Sequence, residues 1–264
     1  HARVIRQVHR DYIDAGARLH IVNSFALARH VLEPLGIGSL FEDLNRKSVA
    51  LCEQAIAESG QNRNNHWIAG SLSTFCAHSD RTLLPRGEAL TANYRDQALI
   101  LLEAGVNLYA FEMLFDLETS LAMIEATRDI GLPVILGFTC DWAGDENSPS
   151  VTTRGMGRPA IPLDTVLPEV IAACRSMDII LSVMHSEFDV TDAALKVLKR
   201  HWEGPIAIYP NSGTFVDLQM QFDSVCSADA FKSASLNWRH EGVQIIGGCC
   251  GLGPAHIRGL ADMI

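Results

Sequence analysis

Hydrophobic and polar positions along the chain follow two alternating periods. Short apolar runs rich in branched side chains predict seven strands, at Leu19–Phe25, Trp67–Ser73, Leu108–Met113, Pro133–Cys140, Ile179–His185, Pro205–Asn211 and Val243–Cys249. Segments with apolar residues three and four positions apart predict seven helices, at Arg3–Ala15, Leu44–Ser59, Tyr94–Ala104, Glu118–Ile130, Leu163–Met177, Thr191–His201 and Asp229–His240. Each predicted strand follows a predicted helix, so the chain repeats one helix-and-strand unit.

This repetition predicts an α/β fold with a parallel sheet, because strands that are apolar throughout are buried on both faces. A (β/α)8 barrel of the TIM type has eight strands, and this chain opens on a helix. We therefore expect a single-domain barrel over residues 1–264 whose first strand lies upstream of His1. An open, doubly wound sheet is the alternative, since periodicity alone does not close a sheet. Residues 142–162 show little periodicity and predict a long loop at the barrel mouth, either a lid or a plain surface loop.

Composition and charge exclude several classes of function. The 264 residues include 21 Lys and Arg against 31 Asp and Glu, a formal net charge of −10, so the chain lacks the basic surface that binds nucleic acid. The hydrophobic share of 48% and the charged share of 20% are those of a folded globular chain. The sequence shows no membrane-spanning apolar run and no signal peptide. We expect a soluble, cytoplasmic protein without a membrane partner. The composition does not indicate whether the chain forms oligomers.

The strongest chemical signal lies at the end of the last predicted strand, where the sequence reads GGCCG and includes Cys249 and Cys250. Neighbouring residues on a regular strand point to opposite faces, so adjacent thiols converge only where glycines let the backbone leave the strand. Two converging thiolates are soft ligands suited to Zn²⁺, whose catalytic sites combine three protein ligands with one exchangeable position. The alternative is that both cysteines pack as small apolar side chains beside a turn. The seven cysteines, an odd number, do not indicate a disulfide framework.

Several segments together resemble the homocysteine S-methyltransferase family. They read VHRDYIDAGARLHIVNSF, IAGSLS, FEMLFDLETSLAMIEA, YPNSG and IIGGCCGLGPAHIRGL, and the resemblance runs from about Arg3 to the C-terminus. It implies an S-methyltransferase of methionine biosynthesis with a homocysteine-binding (β/α)8 barrel. In this family three cysteines hold zinc, and the thiol of homocysteine is both the fourth ligand and the nucleophile. The family's first strand, with an acidic residue near the substrate amine, precedes the part that this sequence contains.

One position departs from the family pattern. Where the third zinc cysteine of the family ends a strand, this chain reads SVMH, ending at His185. Catalytic zinc also occurs with two Cys and one His, so the resemblance implies that His185, Cys249 and Cys250 are the metal ligands. A neutral imidazole in place of a thiolate makes the site one charge unit less negative, which lowers the pKa of a bound thiol and weakens its sulfur as a nucleophile. Cys140, at the end of another predicted strand, is the competing third ligand, and a site without zinc is the remaining alternative.

The resemblance also implies substrate contacts at other strand ends. Glu112 stands where the family places a glutamate that holds the ammonium group of homocysteine, and a carboxylate is the natural partner of an amine. Asn23, Gly70 and Ser71 resemble positions that offer an amide or a backbone N–H to the substrate carboxylate. Asn211 follows a strand in a turn that would orient the site. For these last four residues, a role in turn geometry alone is an equal alternative.

The leading hypothesis is zinc-dependent transfer of a methyl group from a sulfonium or quaternary ammonium donor to homocysteine, giving methionine. A cationic donor is favoured because the transfer neutralises its charge and the chain is acidic. Two alternatives remain open. One is a barrel methyltransferase with a different donor, or with a different thiol or selenol acceptor. The other is a protein without catalysis in which Cys249 and Cys250 serve thiol or metal sensing.

Overall fold

A computed structural model describes residues 1–76, 84–142, 148–151, 160–215, 222–261 and 263. Its helices α1 to α9 span Ala2–Asp14, Arg29–Leu32, Phe41–Ser59, Gly87–Ala104, Leu117–Thr127, Leu163–Ala173, Phe188–His201, Ala228–His240 and Pro254–Ala261. Its strands β1 to β11 span Leu19–Ile21, Trp67–Ser73, Leu108–Leu114, Val134–Trp142, Pro149–Val151, Ile161–Pro162, Ile179–Met184, Ile206–Tyr209, Thr214–Phe215, Phe222–Asp223 and Ile245–Ile246. All seven strands and all seven helices predicted from periodicity are present.

Seven strands form one parallel sheet in the order β1, β2, β3, β4, β7, β8, β11. Spatial order follows chain order because each intervening helix returns the chain to the same end of the sheet before the next strand begins. The sheet curls, and helices alternate with its strands as in TIM-barrel proteins, so the predicted α/β barrel fold is confirmed. In the described residues β1 and β11 are the two edges of this sheet. A search of the described helices finds none with the length and apolar character needed to cross a membrane.

The predicted boundaries differ most where strands reach the mouth. The last strand is predicted over Val243–Cys249, but its regular pairing with β8 is confined to Ile245 and Ile246. Beyond them, the N–H groups of Gly247 and Cys249 donate to the carbonyls of Ile208 and Pro210. Of the predicted loop at 142–162, residues 143–147 and 152–159 lie outside the described residues. The rest includes β5, which pairs antiparallel with β4, and β6, which pairs antiparallel with β5. Part of this loop is therefore an extension of the sheet.

Alternation along the strands separates two layers of packing. Side chains of one parity face the helices and join the large core; on β4 these are Val134, Leu136, Phe138 and Cys140. Side chains of the other parity form an inner group inside the curled sheet, composed of Ala69, Leu108, Ala110, Ile135, Met184, Ala207 and Tyr209. The inner group contains three alanines and a single aromatic ring, that of Tyr209. This inner layer carries the polar residues of the candidate site.

Candidate metal centre

Two cysteines and one histidine converge at the carboxyl ends of β7 and β11. The Sγ atoms of Cys249 and Cys250 lie 3.8 Å apart. The Nδ1 atom of His185 lies 3.7 Å from Cys249 Sγ and 3.4 Å from Cys250 Sγ. His185 directly follows β7, whereas the cysteines follow β11 after Gly247 and Gly248. Over the part of the chain that the structure describes, this is the only group of three or more His, Cys, Asp or Glu whose ligand atoms lie within 4.8 Å of one another.

The three separations fit one tetrahedral zinc ion. Bonds of about 2.3 Å to sulfur and about 2.0–2.1 Å to nitrogen place two sulfurs about 3.8 Å apart, and a sulfur and a nitrogen about 3.5 Å apart. The observed separations differ from these values by about 0.2 Å or less. Both cysteines are free thiols. Three protein ligands are the composition of a catalytic zinc site rather than a structural one, which uses four.

An uncommon backbone conformation occurs next to the cluster and next to Glu112. His185 has a φ of +48° and Met113, directly after Glu112, has a φ of +58°. Of the described non-glycine residues, only one other, Ser224, has a positive φ. A side chain in this left-handed region costs free energy and persists where the surrounding structure enforces it, often at functional sites. At His185 the turn comes as the strand ends, so the direction of the imidazole does not follow the side-to-side alternation of side chains along β7.

The loop after β8 braces the cysteine turn from two sides. The side-chain Oδ1 of Asn211 accepts a hydrogen bond from the Cys250 N–H at 3.2 Å, and the Ser212 N–H donates to the Cys250 carbonyl at 2.9 Å. The Asn211 N–H in turn donates to the carbonyl of Ser186, beside His185, at 2.9 Å. Asn211 therefore links the backbone of one cysteine to the backbone next to the histidine.

Gly251 is a position where this turn tolerates no side chain. Its φ is +79°, and a Cβ atom there would lie 1.9 Å from the Ser212 carbonyl oxygen. We expect Gly251→Ala to lower the free energy of unfolding by about 3 kcal/mol, because both the conformation and the contact force the backbone to move. Gly253→Ala is the matched control, since nothing lies within 4 Å of its Cβ position, and we expect a change below about 1 kcal/mol. Urea unfolding measures both; equal losses in the two variants would contradict the prediction.

Within the cluster, Cys250 rather than Cys249 is favoured as the thiolate. A hydrogen bond from the Cys249 thiol, together with the nearby His185, lowers the pKa of Cys250 even though burial opposes this. The same hydrogen bond and burial raise the pKa of Cys249. Burial acts to lower the pKa of His185, but the hydrogen bond and charge of Cys250 outweigh it and raise that pKa. A metal cation would thus find one ligand already ionised, and its positive charge would favour ionisation of the second.

Glu112 lies on β3 near the cluster, and the charges of His185 and Cys250 shift the pKa of its carboxyl. Burial raises the pKa of the Glu112 carboxyl to about 7, although a hydrogen bond from Ser71 and the charge of His185 lower it in part. The Ser71 hydroxyl donates to Glu112 Oε1. Glu112 makes no ion pair with a Lys or Arg among the residues for which contacts are described. A partly buried carboxylate without a cation is unfavourable by itself and suits a ligand that carries an ammonium group.

Two other predicted substrate residues do not face the cluster. Gly70 faces the helices: a Cβ atom there would lie 3.0 Å from the side chain of Leu101 on α4. Asn23 lies two residues beyond the end of β1 and is exposed. The next residue, Ser24, reaches inward instead, and its hydroxyl donates to the Ser71 carbonyl at 2.8 Å. The structure therefore brings together Ser71 and Glu112 but places Gly70 and Asn23 elsewhere.

Cys140, the competing third ligand, lies outside the cluster. It belongs to the core between the sheet and the helices and is 3% exposed. Burial raises the pKa of its thiol, which opposes the thiolate form that binds metal. The geometry therefore assembles His185, rather than Cys140, with the two cysteines.

Two tyrosines near the site have no binding or catalytic role in the sequence prediction. The Tyr12 hydroxyl on α1 donates to the Leu252 carbonyl at 3.0 Å and so attaches the first helix to the turn after the cysteines. Tyr209 ends β8 inside the curled sheet. The YPNSG segment contains Tyr209 directly before the turn of Asn211, and this position at a strand end was the signal that could have identified it.

Comparisons with known proteins identify a family and several similar chains. A family model described as homocysteine S-methyltransferase matches residues 1–264. Homocysteine S-methyltransferase 4 of Zea mays is 26% identical over an alignment that covers 99% of this chain and 79% of that protein. Homocysteine S-methyltransferase of Escherichia coli is 28% identical, with 97% and 83% covered. The crystal structure of the metallated form of the homocysteine methyltransferase MmuM from Escherichia coli has a TM-score of 0.73 at 25% identity, with 99% of this chain and 85% of that chain covered. Its oxidized form has a TM-score of 0.75 at 26% identity, with 100% and 85% covered.

Proposed function

The chain belongs to the homocysteine S-methyltransferase family and is a methyltransferase, and from this premise we propose that it is a zinc enzyme that methylates homocysteine from an onium donor. The donor would be a sulfonium or quaternary ammonium compound, and the product would be methionine. The observation that carries the proposal is the convergence of His185, Cys249 and Cys250 at distances that suit one zinc ion. The half-buried carboxyl of Glu112 nearby adds a place for the amino group of the substrate.

Each residue of the site has a part in this reaction. His185, Cys249 and Cys250 would hold the zinc ion, which when bound supplies a positive charge that stabilises a thiolate near neutral pH. Asn211 keeps the Cys250 backbone in place. Glu112 accepts the ammonium group of homocysteine and thereby orients the amino-acid end of the substrate.

The bond changes balance without an oxidant, a reductant or a general base from the protein. The sulfur of homocysteine, after its proton leaves to solvent, bonds to the methyl carbon of the donor. The bond between that carbon and the onium sulfur or nitrogen breaks, and the donor leaves as a neutral sulfide or amine. A cationic donor is supported by the charge of this chain, −10 overall, because a negative field attracts cations. It is also supported by the imidazole ligand, since a less negative site makes a weaker sulfur nucleophile and calls for an activated donor.

The experiment is a methyl-transfer assay on the full chain loaded with zinc. L-Homocysteine is supplied with S-methylmethionine, with betaine or with methyltetrahydrofolate, and methionine is measured by mass spectrometry. We expect methionine with at least one onium donor and none with the folate. If neither onium donor gave methionine, the proposed function would be wrong, whereas the fold and the family membership would stand.

A further inference from the structure

Among the described residues, two buried hydroxyl groups near the metal centre make no hydrogen bond of ordinary geometry. They are the Tyr209 Oη and the Thr139 Oγ1 atoms. Strand register places Thr139 of β4 and Tyr209 of β8 on either side of Met184 of β7. Thr139 alternates with the helix-facing Phe138 and Cys140, so it faces the interior. Because buried hydroxyls in folded proteins are nearly always satisfied by protein, water or ligand, these two indicate that a polar group enters this layer.

The Tyr209 hydroxyl reaches across the interior. Tyr209 is 8% exposed and belongs to the inner group of side chains. Its Oη lies 2.6 Å from the point where a Cβ atom on Gly137 would be, and the Phe111 carbonyl oxygen and Met184 Cγ lie 2.9 and 3.0 Å from the same point. The absence of a side chain at Gly137 therefore makes the space that the hydroxyl occupies.

The charges around Tyr209 indicate the sign of its ligand. Burial, the Glu112 carboxylate and the nearby Cys249 raise the pKa of Tyr209, while the adjacent Ser182 hydroxyl, which does not meet hydrogen-bond geometry with the Tyr209 Oη, lowers it in part. The Ser182 hydroxyl itself donates to the Val183 carbonyl at 3.5 Å. A ligand carboxylate at this place would be repelled by Glu112, whereas an ammonium group would be attracted and would bring N–H donors. A protonated phenol oxygen can accept one of them.

We propose that Tyr209 is a substrate-binding residue whose hydroxyl oxygen accepts a hydrogen bond from the α-ammonium group that Glu112 binds. The inference rests on the proposed function, because it takes an amino-acid thiol as the substrate. The substrate nitrogen would then have two contacts, one with the charged Glu112 carboxylate and one with the uncharged Tyr209 hydroxyl. It also gives the unpartnered hydroxyl a partner that only the substrate supplies.

The test compares Tyr209→Phe with Tyr109→Phe in the full chain loaded with zinc. Both variants lose one buried phenol hydroxyl, but the hydroxyl of Tyr109 has a protein partner, the Ala98 carbonyl at 2.6 Å. Calorimetry gives the Kd of L-homocysteine and of 4-mercaptobutanoate, which is homocysteine without its amino group. The kcat of methyl transfer and the Tm are measured beside them.

For Tyr209→Phe we expect the Kd of homocysteine to rise about tenfold or more, as for a lost hydrogen bond to a charged group. The Kd of 4-mercaptobutanoate and the Tm should stay the same, or the Tm should rise, since no protein contact is lost. The kcat should change less than about threefold, because the ammonium group is not one of the reacting atoms. For Tyr109→Phe we expect the reverse: a lower Tm and unchanged Kd values.

Two results would overturn the inference. One is an unchanged Kd of homocysteine in Tyr209→Phe; a simultaneous fall of the Tm would then assign the hydroxyl to a protein partner such as Ser182. The other is an equal loss of affinity for both thiols, which would show that the amino group is not what the hydroxyl contacts. A wild-type protein that does not bind homocysteine would reject the proposed function and, with it, this inference. Because homocysteine binding by the wild type is measured separately, a failure of the proposed function is distinguished from a failure of the Tyr209 inference.

Discussion

Replacing Cys250 by serine is expected to remove the metal and to lower kcat/KM for methyl transfer by more than about a hundredfold. The Cys250 sulfur lies 3.4 Å from the His185 Nδ1 and 3.8 Å from the Cys249 sulfur, distances at which one zinc ion would bind all three. A serine hydroxyl is a hard and neutral ligand, which suits zinc poorly in such a site. Elemental analysis of the purified protein should find about one zinc per chain in the wild type and a small fraction of that in the variant.

The matched control for this experiment is Cys140→Ser. Cys140 lies two residues before the end of β4, and its side chain belongs to the core on the helix side. We therefore expect this variant to keep its zinc, with at most a loss of stability from the buried hydroxyl. His185→Ala completes the set and should lose zinc like Cys250→Ser. If Cys140→Ser lost the metal and His185→Ala kept it, the third ligand would be Cys140 and the assignment of His185 would be wrong.

The second large effect is expected from Glu112→Gln. Glutamine keeps the shape of the side chain and can still accept a hydrogen bond from Ser71, but it removes the charge that faces the substrate ammonium group. Loss of one partner of a buried charge pair costs about 2–5 kcal/mol, so we expect kcat/KM for homocysteine to fall roughly a hundredfold or more. The zinc content should stay that of the wild type, because Glu112 is not among the three clustered ligands.

The pH dependence of homocysteine binding offers a second measurement at Glu112. Burial raises the pKa of this carboxyl to about 7, and only its charged form attracts an ammonium group. Affinity should therefore weaken as the pH falls through about 7, and Glu112→Gln should lack this component. Ser71→Ala removes a hydrogen bond that lowers the pKa, so the weakening should begin at a higher pH in that variant. An unchanged affinity and pH profile in Glu112→Gln would contradict the role assigned to the carboxylate.

Local patterns predicted the elements best where burial is uniform along a strand. The predicted strand Trp67–Ser73 coincides with β2, in which every residue after Trp67 is buried. The last strand is shorter than predicted, since beyond Ile246 the chain keeps backbone hydrogen bonds from Gly247 and Cys249 but is no longer a regular strand. Helix α9 was not predicted, because its eight residues are too few to show a clear period.

The competition between His185 and Cys140 shows where sequence reasoning stopped. Both residues stand at the ends of predicted strands, and both residue types bind zinc. The structure separates them by register: Cys140 shares the parity of Phe138, which faces the helices, and so it points away from the mouth. His185 lies just beyond β7 with a φ of +48°, so its side chain does not follow the alternation of faces along that strand. A shift of one residue along a strand reverses the face of a side chain, and the predicted ends were not accurate to one residue.

The sequence by itself determined the α/β alternation, the family and the kind of chemistry, because periodicity and residue type are local properties of the chain. Only the tertiary structure decided which side chains meet. His185 and Cys250 are 65 positions apart, and their distance depends on the order and curvature of the sheet between them. The same holds for the Tyr209 hydroxyl, whose place depends on a glycine two strands away. Such distances are set by the packing of the whole sheet, and no local pattern carries them.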